Sequence, residues 1–188
     1  MRSRGSRFRD GITAFAMLAL IGLLALKLDD GGQSLHAGRF EAVDGDTLRL
    51  GPDRLRLKGL DAPEYLQTCH AASGDWPCGR HALQLLATLI AGGQAECTGS
   101  GRDRYDRILV ICRAGGLEVN SELVRRGMAV AYGAYNDEEV AARREGKGLW
   151  AGTFDVPEDW RRQHIGIDAD GSPADSPVDY LLKLFGLT

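Results

Sequence analysis

Hydrophobic positions open the chain as an unbroken run. From Gly11 to Leu26, sixteen consecutive residues carry no charge, behind a flank that contains Arg2, Arg4, Arg7 and Arg9. As a helix that run is ~24 Å long against a hydrocarbon core of ~30 Å, and Leu28 with a snorkelling Lys27 extends it. It is apolar on every face, unlike the one-sided stripe of an ordinary surface helix. The expectation is a basic cytoplasmic flank at 1–10 followed by a transmembrane anchor at 11–28. The alternative is a cleaved signal sequence, although the only nearby cut site, Leu35-His-Ala37, has Leu where a small residue is wanted. In both cases the positive flank stays in the cytoplasm. The domain is then expected on the periplasmic or extracellular side, or secreted if the segment is cut.

After a Gly-rich linker placed at 29–37 the pattern changes to short alternations. Arg39 to Val43 and Thr47 to Leu50 read as strands joined through the turn dipeptide Asp44-Gly45. Leu55 to Lys58 alternates again and stops at Gly59. Between Gly79 and Ala91 the apolar residues Ala82, Leu85, Leu86, Leu89 and Ile90 fall at helical spacing. Ala95–Cys97 and Ile108–Cys112 predict two strands around a tip at Gly99–Arg107. A short helix over Asn120–Arg126 ends at Gly127, and Met128 to Tyr132 predicts a last strand. A further helix opens at Asn136 with a polar cap and an acidic first turn, and ends near Gly146. Short strands with helices inserted late predict an α+β arrangement, a small barrel with helices packed on it, at residues 38–163. Beyond it, at 164–188, aspartates among Gly, Ser and Pro read as an acidic solvated tail, in which Asp179 to Phe185 is a short amphipathic turn.

Charge narrows the function. The chain of 188 residues has a formal net charge of −3. Its first thirty residues are net positive, so the remainder is more acidic than the whole. A protein that coats nucleic acid non-specifically is therefore excluded, and any polyanion must be gripped at a local site. The four cysteines, Cys69, Cys78, Cys97 and Cys112, include no CxxC pair, which argues against a thiolate zinc site. Three disulfide connectivities are open. Cys69–Cys78, closing a loop that contains Gly74 and Pro77, and Cys97–Cys112, flanking the hairpin, are the favoured pair, with four buried free thiols as the alternative. Disulfides agree with export.

Two segments concentrate the chemistry: Val43-Asp-Gly-Asp-Thr-Leu48 and Arg56-Leu-Lys-Gly-Leu-Asp-Ala-Pro-Glu64. Carboxylate oxygens near a turn suit a hard divalent cation such as Ca²⁺, and a carboxylate left off the metal can act on water as a general base. Guanidinium groups pair bidentately with phosphate oxygens, which nominates Arg56 and, beside the hairpin tip, Arg107. One geometric condition follows. Arg56 and Asp61 are five residues apart, so an unbroken strand would send them to opposite faces, and Gly59 must bend the chain to bring them together. Asp44 reads as a turn-former. His36, His70, His81 and His164 have no metal-ligand spacing, and Trp76, Trp150 and Trp160 read as structural. Arg125-Arg126 and Arg143-Arg144 read as solvated helix faces.

The ordered motifs Val43-Asp-Gly-Asp-Thr47, Arg56 ahead of Asp61-Ala-Pro-Glu64, Asp103-Arg-Tyr-Asp-Arg107 and Val119-Asn-x-x-Leu-Val-Arg-x-Gly127 closely resemble the staphylococcal nuclease (thermonuclease) family, from about Gly38 to Trp160. The resemblance implies an OB-type five-stranded β-barrel with about three helices, and a Ca²⁺-dependent phosphodiesterase acting on DNA or RNA and leaving 3′-phosphate ends. It implies Asp46, Asp61 and the backbone carbonyl of Ala62 as metal ligands, and Glu64 as general base or organiser of the attacking water. Arg56 and Arg107 correspond to the pair that holds the scissile phosphate. Arg104 and Tyr105 correspond to contacts with a terminal phosphate and sugar, and Tyr132 to the nucleotide pocket. Asp106 stands where the family commonly has Gly, a position that tolerates φ > 0. The alternative from another class is a non-catalytic OB-type module of the envelope that binds an oligonucleotide or a protein partner. The expected partners are a nucleic acid and, through the N-terminal segment, a membrane; nothing requires more than a monomer.

Overall fold

The computed structural model describes residues 15–21, 23, 33–92 and 94–164, and the chain divides into two units, Met1–Ser34 and Leu35–Thr188. Within the first unit, residues 15–21 and 23 are helical and exposed. Among the described residues no helix is long and apolar enough to cross a membrane. The rest of the 11–28 segment, the flank at 1–10 and the tail from 165 onward lie outside the described residues.

The second unit carries β1 (Ser34–Ala37), β2 (Glu41–Ala42), β3 (Thr47–Leu50), β4 (Asp53–Leu57) and β5 (Leu60–Asp61). A hairpin of β6 (Cys69–Ala71) and β7 (Gly74–Trp76) leads into α1 (Cys78–Ala91). Then come β8 (Glu96–Arg102), β9 (Ile108–Ala114), β10 (Leu117–Glu118), α2 (Val119–Arg125), β11 (Val130–Ala131) and α3 (Asn136–Arg144). A 3₁₀ turn at Gly148–Ala151, β12 (Gly152–Thr153) and α4 (Pro157–His164) complete it.

Strand order in the main sheet is β1-β8-β9-β4-β3-β2, with β10 on β9. The pairing β4–β9 is parallel, while β2–β3, β3–β4, β8–β9 and β9–β10 are antiparallel. This curled mixed sheet with its helices is the expected α+β architecture. It has seven strands among the described residues against the five expected. The additions are β1, at the end of the segment expected as a linker, and the two-residue β10. Two small antiparallel sheets, β11–β5 and β12–β6–β7, flank it.

Alternation explains the core. Leu55 and Leu57 point inward from β4 while Arg54 and Arg56 do not, and in β9 Ile108, Val110, Cys112 and Ala114 are buried. Ala82, Leu86 and Leu89 lay one stripe of α1 onto this layer. Each fully buried Leu contributes roughly 1.5–3 kcal/mol. A second cluster gathers Cys69, Cys78, Val130 and Leu149, with Trp76, Trp150 and Phe154 against it.

Element boundaries depart from expectation where backbone bonds leave the ladder. Val43 N–H already donates across the turn to the Thr47 carbonyl (2.9 Å), so β2 ends at Ala42. Met128 N–H closes the end of α2 on the Leu123 carbonyl (2.9 Å), and Tyr132 N–H reaches the Gly59 carbonyl (2.9 Å), which shortens the last strand to Val130–Ala131. Strand β8 runs on to Arg102 through a register shift between Gly99 and Arg102.

Candidate active site

The acidic turn is built by its own side chains. Asp44 Oδ1 accepts the Asp46 N–H at 3.0 Å, which is the turn-forming role read from the sequence. The turn hands the chain into β3, where Thr47 pairs with Arg56 of β4. Asp46 therefore arrives beside Arg56, whose Nη1 donates to Asp46 Oδ1 at 2.7 Å. The Leu57 N–H on the Asp46 carbonyl (2.8 Å) locks this register.

The bend required at Gly59 is present. Gly59 has φ +87° between β4 and β5, and Arg56 Nη2 donates to Asp61 Oδ1 at 2.7 Å. Asp61 is held by pairing with Val130 of β11. A Cβ at residue 59 would also press on Ala134 and Tyr135, so both conformation and space require glycine. Ala62 N–H donates to Asp46 Oδ2 at 3.1 Å, tying the two acidic segments together.

Glu64 is positioned by close approach. A Cβ on Gly79, in the first turn of α1, would meet the Glu64 carbonyl oxygen at 1.7 Å, so only glycine lets the helix seat against this backbone. Gln67, fully buried, takes the Glu64 N–H on Oε1 (3.2 Å) and donates from Nε2 to the Asp155 carbonyl (2.6 Å). Ahead of the helix the Cys69–Cys78 disulfide closes β6 onto its first residue, and Cys97–Cys112 crosses β8 and β9, so both favoured pairings are present.

A residue that the sequence reading did not nominate completes the cluster. Arg161 of α4 donates from Nη2 to Asp61 Oδ2 (2.9 Å), and from Nη1 to Asp61 Oδ1 (3.1 Å) and Glu64 Oε1 (2.8 Å). Three carboxylates, those of Asp46, Asp61 and Glu64, thus share two guanidinium groups. Burial pushes the Asp46 carboxyl up to about 8, with Arg56 pulling it down and the charges of Asp44 and Asp61 adding to the rise. The Arg56 guanidinium, itself largely buried, is raised by Asp46 and Asp61, and Arg161 is raised by Asp61 and Glu64.

Arg107 lies apart from the carboxylates. Its Nε and Nη2 both reach Asp103 Oδ2 at 2.7 Å, and Asp103 Oδ1 accepts the N–H groups of Tyr105 (2.9 Å) and Arg107 (3.0 Å). Burial would raise the Asp103 carboxyl, but the bonds from Arg107 outweigh it and hold the group low. The Tyr105 ring, 48% exposed, has the guanidinium carbons of Arg104 and Arg107 each 5.1 Å from its centroid. Asp106 takes the left-handed conformation (φ 62°), and its side chain faces Arg102 at 3.4 Å instead of Arg107. Tyr132, 70% exposed, is next to the Gly59 bend through its backbone and is no core residue. Arg56 registers with Leu109 across the parallel β4–β9 pair, so Arg107, two residues before Leu109, starts on the same face. At strand spacings the two Cα positions are then roughly 8 Å apart.

Among the described residues no group of three or more His, Cys, Asp or Glu side chains is gathered as a ready metal cage. The donor chemistry nevertheless fits a hard cation. Asp46 and Asp61 are buried oxygen donors, and once Asp46 ionises three carboxylates face two guanidinium groups with negative charge left uncompensated.

Residues 54–152 match the family model of staphylococcal nuclease homologues. The chain is 34% identical over 140 residues to a Rhizobium meliloti (strain 1021) protein named succinoglycan biosynthesis protein ExoI, across 70% of this chain and 73% of that one. It is 33% identical over 141 residues to an uncharacterized endonuclease of Escherichia coli, across 69% of this chain and 86% of the relative. An uncharacterized endonuclease of Haemophilus influenzae is 31% identical over 132 residues, across 64% and 69% of the two chains.

Proposed function

The chain belongs to the family of staphylococcal nuclease homologues, and from that membership we propose that it is a Ca²⁺-dependent nuclease. In this reading it hydrolyses phosphodiester bonds of DNA or RNA and leaves 3′-phosphate ends. The observation that carries it is the convergence of Asp46, Arg56 and Asp61 into one bonded cluster, to which Arg161 ties Glu64. Relatives named endonucleases support the reaction class.

Asp46, Asp61 and the Ala62 carbonyl would hold the cation, which supplies charge stabilisation at the phosphoryl oxygens. Glu64 orients the attacking water and accepts its proton as the water oxygen bonds to phosphorus and the bond to the 5′-oxygen breaks, the leaving oxygen taking a proton from solvent. Arg56 and Arg107, on one face of the sheet, grip the non-bridging oxygens as charge grows on them. Arg104 and Tyr105 at the hairpin, and Tyr132 near the Gly59 bend, contact the flanking nucleotide. The basic N-terminal flank and its apolar run anchor or export the domain, and the two disulfides support an oxidising compartment.

The test is turnover of single-stranded DNA by the full-length chain in Ca²⁺ and in chelator, with the product ends mapped. Cleavage should need Ca²⁺ and leave 3′-phosphates. Glu64→Gln, Arg56→Ala and Arg107→Ala should each lower kcat by roughly 10²–10⁴-fold. Full activity in all three variants would sink the assignment. Oligonucleotide affinity without turnover would support the non-catalytic module instead.

A further inference from the structure

Arg161 lies beyond the family-matched segment 54–152, on a helix in which Glu158, Asp159 and Trp160 are half-buried and Arg162, Gln163 and His164 are exposed. Pro157 is the one buried residue of α4. Its neighbour Arg162 pairs at the surface with Glu158 and Asp159. Two bonded tethers join this end of the chain to the acidic cluster. One is the Asp155 carbonyl on buried Gln67 (2.6 Å), and the other is the Arg161 guanidinium on Asp61 and Glu64.

The chemistry of that second tether is that of a cation filling a carboxylate site. Arg161 covers both oxygens of Asp61 and one of Glu64 at 2.8–3.1 Å. A guanidinium on both Asp61 oxygens competes with a divalent ion for them, because the two positive charges would repel at contact distance. The Arg161 N–H on Glu64 Oε1 also makes that carboxylate a weaker base toward water, because it stabilises the charged form. Arg56 is differently placed: its bonds go to Asp46 and Asp61 from β4, inside the sheet framework.

We infer that Arg161 is an internal counter-ion of the metal site, occupying Asp61 and Glu64 until Ca²⁺ displaces it and frees α4. The inference rests on the calcium-dependent reading above and deepens it. Arg161 is a positioning residue that keeps the carboxylates ordered and raises the Ca²⁺ concentration at which the site fills. Displacement also removes the Arg161 N–H from Glu64 Oε1, so the carboxylate becomes a stronger base as the metal arrives.

The experiment is calorimetric Ca²⁺ titration of the full-length chain, without substrate, for wild type, Arg161→Lys and Arg161→Gln. Removing the competitor should tighten Ca²⁺ binding about tenfold in Arg161→Gln, with Arg161→Lys between the two. Loss of a merely structural contact would weaken binding. Hydrogen exchange on the wild-type chain gives an independent reading, in which saturating Ca²⁺ should accelerate exchange of amides 157–164. Equal or weaker Ca²⁺ binding in Arg161→Gln, or α4 amides slowed or unchanged by Ca²⁺ in wild type, overturns the inference while leaving the calcium reading intact. If neither wild type nor Arg161→Gln binds Ca²⁺, the calcium reading itself fails and this inference with it.

Discussion

Asp46 is where the sequence chemistry and the packing pull hardest against each other. Its carboxyl is buried, bonded to Arg56, the Thr47 hydroxyl and the Ala62 N–H, and still pushed up to about 8 by the loss of water. An unfolded Asp titrates near 3.9. The folded chain therefore binds this proton more tightly than the unfolded chain. The contribution to stability is fully present below about pH 4 and is lost as pH rises through about 8. In chelator, the melting temperature of the wild-type chain should fall between pH 6 and 9, and the fall should be smaller in Asp46→Asn. The same ionisation makes the ligand that Ca²⁺ needs, so Ca²⁺ binding should tighten over the same interval. A wild-type melting profile parallel to that of Asp46→Asn would show that Arg56 already keeps the group charged.

At the scale of elements, the reading of the chain succeeds where local rules and tertiary demands coincide. Thr47–Leu50 is a strand with the expected bounds because alternation and the Asp44 turn agree. The Arg56–Asp61 meeting was legible because parity made it impossible without a bend, and Gly59 was the one residue able to supply it. The β6–β7 hairpin was not legible: three-residue strands carry too little alternation, and they are fixed by the disulfide and by pairing with β12. Arg161 and Gln67 were invisible for a different reason. Nothing local separates Arg161 from Arg162, or buried Gln67 from a solvated loop glutamine, since the Arg161 partners lie 97–100 residues away and the Asp155 carbonyl that Gln67 binds lies 88 away. This distinction yields a prediction about the two disulfides. Cys69–Cys78 closes the loop directly behind Glu64 and Gly79, whereas Cys97–Cys112 crosses a β8–β9 pair already zipped by hydrogen bonds. Replacing either pair by Ala should cost about 3 kcal/mol in urea unfolding. Only the Cys69→Ala/Cys78→Ala variant should also lose kcat under conditions where both proteins remain folded. Equal kcat losses would mean that the loop does not position Glu64.

For the whole molecule the governing fact is charge placed without enough countercharge. The chain is net negative, and its polyanionic substrate must approach a cluster that, once Asp46 ionises, sets three carboxylates against two guanidinium groups. Long-range steering by a basic surface is therefore weak, and in the proposed reading attraction comes from the cation the site would hold together with Arg56 and Arg107. Such a site links metal to global stability, because a cation that binds only the folded chain adds free energy by mass action, about 2.7 kcal/mol at a hundred times its Kd. For a domain of this size that corresponds to a rise on the order of 10 °C in melting temperature. Mg²⁺ should give much less, since it demands regular octahedral geometry and keeps its waters. Melting the full-length chain in chelator, in Ca²⁺ and in Mg²⁺ measures this directly. Asp61→Asn serves as the control that should abolish the Ca²⁺ increment. An increment surviving in Asp61→Asn would locate the stabilising ion away from this cluster. A wild-type chain indifferent to Ca²⁺ would mean that the two arginines alone supply the positive charge, and the nuclease would then be sought as a metal-independent one.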